Sequence, residues 1–149
     1  MNFFEDLLKE LSPLVGLPLH PDNHGACCLL VGDRLEVQIE PDKRDDIVIF
    51  AFMNELPPGK FREEVLKEGL KANAQFLPGG IISFSGKTNQ LAIYQRLQHQ
   101  TINAHDLLDA LASFIDYAMQ WQMSLQDGKT APTFLATKSS APPPFGMKL

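Results

Sequence analysis

Residues 47–53 read Ile47-Val48-Ile49-Phe50-Ala51-Phe52-Met53, the longest unbroken apolar run in the chain. Its length suits a strand and falls far short of the ~20 residues that a membrane-spanning helix needs. Successive side chains of a strand point to opposite faces, so this run carries apolar groups on both. Such a strand belongs in the middle of a sheet, or between two covering layers. The rest of the chain therefore has to supply neighbouring strands and a cover.

It does so in a readable order. Residues 34–40 alternate, with Leu35, Val37 and Ile39 on one face and Glu36, Gln38 and Glu40 on the other. That is the pattern of a half-buried antiparallel strand. Residues 26–31 form a shorter apolar run, joined to it by Gly32-Asp33, where glycine supplies the positive φ that a tight hairpin turn requires. The charged stretch 41–46 is a turn. Residues 81–85 and 90–97 form a second hairpin over 86–89.

Three segments have helical spacing instead. Asn2 with Glu5 has the form of a capping box, followed by Phe3, Phe4, Leu7, Leu8 and Leu11. Pro13 and Gly16 end this helix near Ser12, and residues 15–25 are a loop. Pro57-Pro58 opens a second helix. Its apolar face is Phe61, Val65, Leu66, Gly69 and Leu70, and Gly69 costs about 1 kcal/mol relative to alanine there. Asn103, three before Asp106, caps a third helix with a wide stripe of Leu107, Leu108, Leu111, Phe114, Ile115, Ala118, Met119 and Trp121. The order α-β-β-β-α-β-β-α predicts an α+β fold, a twisted antiparallel sheet with three helices packed on it. Residues 1–125 form this domain. Residues 126–149, rich in Pro, Ser and Thr, read as a tail, which Phe134, Leu135 and Phe145 can tack onto a surface.

Charge and chemistry narrow the function. The chain has 18 acidic and 13 basic residues, a net charge of −5, and residues 1–125 alone carry 17 acids against 10 bases, a net −7. A nucleic-acid footprint needs a basic patch, and an anionic membrane surface needs the same. Neither partner is expected, and no segment is long enough for membrane insertion. Acids follow Met1 where a secretory signal would carry bases, and Cys27 and Cys28 are adjacent, on opposite faces of a strand, so they form no ordinary bridge. A reducing, cytoplasmic location is expected.

Gly80 to Thr88 looks like a phosphate loop, but five residues separate its glycines instead of four and it leads into a strand. His20 and His24 sit four apart with Pro21 between them, in a loop rather than on a helix, with no third ligand in register. Neither cysteine has the surroundings of a reactive thiol. Asp106 and Asp109 fall near the start of the third helix, where acids favour its dipole. No metal, cofactor or catalytic constellation is expected, and the chain reads as a binding protein rather than an enzyme.

The combination Gly69-Leu70-Lys71-Ala72-Asn73, Gly79-Gly80 before a strand, and Leu111, Phe114, Ala118 and Trp121 on the last helix resembles the class I type III secretion chaperones, the Tir-chaperone-like family. Leu14-Val15-Gly16-Leu17-Pro18-Leu19 fits the same pattern. The resemblance implies a homodimer paired through the middle helix and the strand after it, here Val65, Leu66, Gly69, Leu70, Ile82 and Phe84. It implies a secreted effector wrapped around the dimer in extended form, bound beside the first helix at Phe3, Phe4, Leu7, Leu8 and Leu11 and at Leu29, Val31 and Leu35. It extends the partners to the secretion ATPase or export apparatus. The alternative is an interaction or adaptor domain of the same fold with no link to secretion.

Overall fold

The computed structural model describes residues 3–32, 34–98 and 102–133. The Asn2 cap, Asp33 of the first turn and the tail positions Phe134, Leu135 and Phe145 lie outside them. The described elements run α1 (Phe3–Val15), β1 (Cys27–Val31), β2 (Leu35–Pro41), β3 (Ile47–Glu55), α2 (Lys60–Ala74), β4 (Ile81–Ser85), β5 (Gln90–Leu97) and α3 (Ala104–Gln126). This is the order that the periodicities predict.

The five strands form one antiparallel sheet in the order β1-β2-β3-β5-β4. The all-apolar run is its middle strand. Register fixes which residues share a face: Ile39 lies opposite Cys27 and Ile49, and Ala51 opposite Ile93. Leu35, Val37, Ile39, Ile47, Ile49, Ala51, Met53, Leu91 and Ile93 make this face a continuous buried layer. Onto it pack α3 and, through α3, α1. Trp121 and Phe114 are the largest fully buried side chains.

α3 is the main cover. Asn103 caps it as expected, its side-chain oxygen accepting from the Asp106 N–H at 2.9 Å. Leu107, Leu111, Phe114, Ala118 and Trp121 are buried, while Leu108, Ile115 and Met119 are half-buried at the margin. Beyond the expected stripe, Tyr117 is buried with its ring edge-on to Trp121, and Gln122 donates to the Arg34 carbonyl at 2.9 Å. That bond seats the end of α3 beside the β1–β2 turn.

Two boundaries differ from expectation. α1 continues to Val15 with Pro13 inside it. Proline removes only the bond to the Lys9 carbonyl, and Lys9 is exposed, so water can take its place. The helix is closed instead by Gly16 at φ 74°, where the N–H groups of Gly16 and Leu17 both donate to the Ser12 carbonyl. α2 begins at Lys60, after Pro57-Pro58, with Gly59 as its N-cap.

Candidate functional site

The expected binding residues divide by burial. Phe4, Leu7, Leu8 and Leu11 of α1 are core side chains, as is Leu35 of β2. Phe3, Leu29 and Val31 are half-buried. The apolar face of α1 is spent on packing within the chain, against α3. What α1 offers outward is a hollow of about 590 Å³ between its polar flank and the following loop, lined by Glu5, Lys9, Ser12, Pro18, Leu19, His20 and Pro21. Ser12 builds its floor, its hydroxyl donating to the Leu8 carbonyl and accepting from the Leu19 N–H.

The residues assigned to self-association also split. Val65, Gly69 and Ala72 are the buried positions of α2, spaced four and three apart along one face. A Cβ on Gly69 would lie 2.6 Å from Ile82 Cγ2, so the close approach that this glycine permits is between α2 and β4 of the same chain. Ile82 is buried by it. Phe61 and Leu70, expected on the same face, are instead exposed, Leu70 at 71%. Leu66 and Leu70 are four apart and form a second, outward ridge. Phe84 is half-buried, with the Arg62 guanidinium 5.1 Å above its ring centre.

The motif 69–73 owes its pattern to the sheet edge. β4 is an edge strand, and Asn73 closes it at Ile82: the side-chain oxygen accepts from Ile82 N–H at 2.8 Å, and the side-chain amide donates to Ile82 C=O at 3.0 Å. One asparagine thus stands in for a sixth strand at this position. Gly79 and Gly80 serve the same corner. A Cβ on Gly79 would meet Tyr117 at 2.6 Å, and one on Gly80 the Tyr94 carbonyl at 2.8 Å. At the other edge, among the described residues, no strand pairs with the outer side of β1.

A surface that the sequence reading left open is now defined. On the sheet face turned away from α1 and α3, register aligns Gln38, Phe50 and Tyr94 in one row and Phe52 with Ala92 in the next. Glu40, Val48 and Arg96 form a third row, and Leu30 lies opposite Glu36 at the β1 margin. Leu30 is 64% exposed and Phe52 44%, and the Phe50 and Phe52 rings meet edge-on at 5.9 Å. The signal for this surface was the β3 run itself, apolar on both faces.

The candidate reactive groups are ordinary here. Cys27 is buried and Cys28 exposed, both as free thiols. Desolvation pushes both thiols above their ordinary value, with the neighbouring Cys28 adding to it at Cys27 and the carboxylates of Glu36, Asp22 and Glu40 adding to it at Cys28. Neither is a thiolate nucleophile near neutral pH. His24 lies in a turn organised by Asp22, whose carboxylate accepts from the N–H groups of Ala26 and His24 and is held below its usual range by those bonds. The glycine-bounded loop 86–89 closes the β4–β5 hairpin. Among the described residues no group of three His, Cys, Asp or Glu is placed to hold a metal ion.

The described residues make a small α+β domain whose sheet is covered by helices on one face and carries exposed aromatic and aliphatic side chains on the other. Its family follows from comparison: residues 6–122 match the Tir chaperone protein (CesT) family, and the chain belongs to that family. No curated protein sequence matches the chain. Solved structures share the fold. A chain of the HopA1–SchA chaperone–effector complex superposes with a TM-score of 0.68 at 18% identity, over 81% of this chain and 94% of that one. A chain of the ExsC–ExsE complex gives 0.68 at 20% identity, over 80% and 91%. One from the ExoT–SpcS complex of Pseudomonas aeruginosa gives 0.60 at 17% identity, over 80% and 97%.

Proposed function

We propose that this chain is a type III secretion chaperone that holds a secreted effector in extended, export-competent form and keeps it soluble. The observation that carries the reading is the sheet face turned away from α1 and α3, with its rows of aromatic side chains, within the fold of a chaperone family. Phe50, Phe52 and Tyr94 offer pockets to apolar side chains of a bound segment. The open edge of β1 offers main-chain hydrogen bonds that do not depend on the partner's sequence. Half-buried Phe3, Leu29 and Val31 lie on the helix-covered side, packed against the core, and offer a second contact to a segment that passes round the β1 edge, whereas Phe4, Leu7, Leu8, Leu11 and Leu35 are core. The relatives in the chaperone–effector complexes support the assignment of an effector as partner. The acidic surface fits a cytoplasmic chaperone that stays soluble while loaded, and delivery to the secretion ATPase or export apparatus is the step this reading implies next.

The working unit in this proposal is a homodimer joined across Leu66, Leu70 and Phe84, with Val65, Gly69 and Ile82 holding α2 rigidly behind them. Leu70 is too exposed to serve the fold of one chain. Leu70→Asp is expected to give a folded monomer by light scattering, because it places a charge in a self-facing apolar contact. A dimer of unchanged mass would refute this interface.

The function itself is tested by affinity capture from the native cell with measured stoichiometry. One or a few proteins held through segments near their N-termini, at two chains per partner, support the proposal. Capture of folded proteins through globular surfaces would favour the adaptor alternative instead.

A further inference from the structure

We infer that the hollow at the corner of α2 and β4 is completed by Phe76 of a second copy of this chain, each copy lodging its Phe76 in the hollow of the other. The inference rests on the homodimer proposed above and names the side chain that anchors it.

Phe76 is the knob. α2 ends at Ala74, Gln75 is its C-cap, and Phe76 follows at φ 51°. Its N–H donates to the Asn73 carbonyl at 3.2 Å, which closes the helix. Glycine is usual just after a helix in this left-handed conformation, because a Cβ crowds the backbone there. A bulky apolar residue takes the strained position instead. It is 91% exposed, more than any other large hydrophobic side chain among the described residues. Neither the turn nor the core of one chain calls for a phenylalanine at this place.

The hole lies beside it. Phe76 stands on the rim of a hollow of about 550 Å³ whose other apolar walls are Leu77, Pro78, Ile81 and Tyr94. Ile81 and Tyr94 lie opposite each other in register, 45% and 37% exposed. Two polar neighbours, Asn73 and Arg96, are already engaged, the first by Ile82 and the second by Asp42 and Asp46. The walls left over suit an apolar side chain.

A knob and a hole side by side on one surface are self-complementary. An unrelated partner would fill the hollow and leave Phe76 in water. A second copy related by a two-fold axis satisfies both, twice over, and the contact closes at two chains. Phe76 alone would supply about a fifth of the ~800 Å² that each partner of a stable pair buries. Leu70, 71% exposed and one turn before Asn73, extends the contact along α2. The charges beside it, Lys67, Glu68 and Lys71, are of mixed sign, with Glu68 and Lys71 paired at 3.5 Å. Two such surfaces can therefore meet without opposing blocks of one sign.

Sedimentation equilibrium of the full-length chain over a concentration series would give its dimer dissociation constant. Phe76→Gly removes the knob, and Ile81→Trp fills the hole from its wall. Each is expected to raise the dissociation constant at least tenfold. In the Leu70→Asp background, Phe76→Gly should leave the urea midpoint unchanged or raise it, because glycine relieves the positive φ. A lowered midpoint overturns the inference, since Phe76 would then serve the fold of one chain. So does a change in only one of the two variants, or in neither, with the unaltered chain still a dimer; the dimer reading survives those results. An unaltered chain that stays monomeric at every concentration overturns the dimer reading and the inference together. Circular dichroism on each variant separates these outcomes from loss of the fold.

Discussion

The two faces of β3 are both apolar and meet different fates. Ile47, Ile49, Ala51 and Met53 are sealed under α3, whereas Val48, Phe50 and Phe52 face away from it and Phe52 keeps nearly half its surface. Apolar character alone does not distinguish the faces. Size and shape do: the covered face is aliphatic and closely matched to Leu107, Leu111 and Phe114, while the open face concentrates its aromatics. Aromatic rings give much contact area for little conformational entropy, which suits a surface that binds. One face makes the fold, and the other is the surface proposed for the partner.

A charge on each face tests that division most severely. Ile49→Asp buries a carboxylate with no partner in an aliphatic layer and is expected to cost about 4 kcal/mol or more, enough to unfold a domain of ordinary stability. Phe52→Asp, three residues along the same strand but on the other face, should change stability by no more than about 1 kcal/mol. Urea unfolding of the two variants measures the difference directly, through the shift in midpoint at constant slope. Equal destabilisation would mean that the open face is packed in solution as tightly as the covered one.

Much of this architecture was legible because periodicity encodes it. The alternation of residues 34–40, the wide stripe of α3 and the Asn103 cap each map onto what forms. Burial was legible only as a set of apolar positions. The stripe Phe3, Phe4, Leu7, Leu8 and Leu11 reads alike whether it meets a partner or α3, because the sequence of a helix does not say which body lies against it. Gly69 likewise signals a close approach without naming the neighbour, which proves to be Ile82 of the same chain. Asn73 was visible as part of a motif, yet its work depends on a strand nine residues away.

The two edges of the sheet extend the comparison of closed and open surfaces. β4 is closed at Ile82 by Asn73, and β1 has no such closure among the described residues. Asn73→Ala removes both bonds and is expected to cost about 1–2 kcal/mol, less than a buried charge because water can reach an edge strand. The Ile82 amide should then exchange hydrogen faster than its neighbours on β5. An unchanged exchange rate at Ile82 would show that α2 shields the edge by packing alone, without the asparagine.

The smallest effect on the fold should accompany the largest effect on function. Phe52→Ser removes an aromatic that is 44% exposed and one partner of an edge-on pair. Such a pair contributes roughly 0.5–1.5 kcal/mol, and exposure lowers what is lost, so the urea midpoint should hardly move. If the open face is where the partner docks, the same substitution takes away an anchor near the centre of the contact. Loss of a central aromatic typically weakens an interface by about 2 kcal/mol or more, some thirtyfold in dissociation constant. Titration calorimetry with the captured partner segment would separate the two quantities. Unaltered affinity with unaltered stability would place the partner elsewhere, on the free edge of β1 and the hollow flanked by Lys9 and His20.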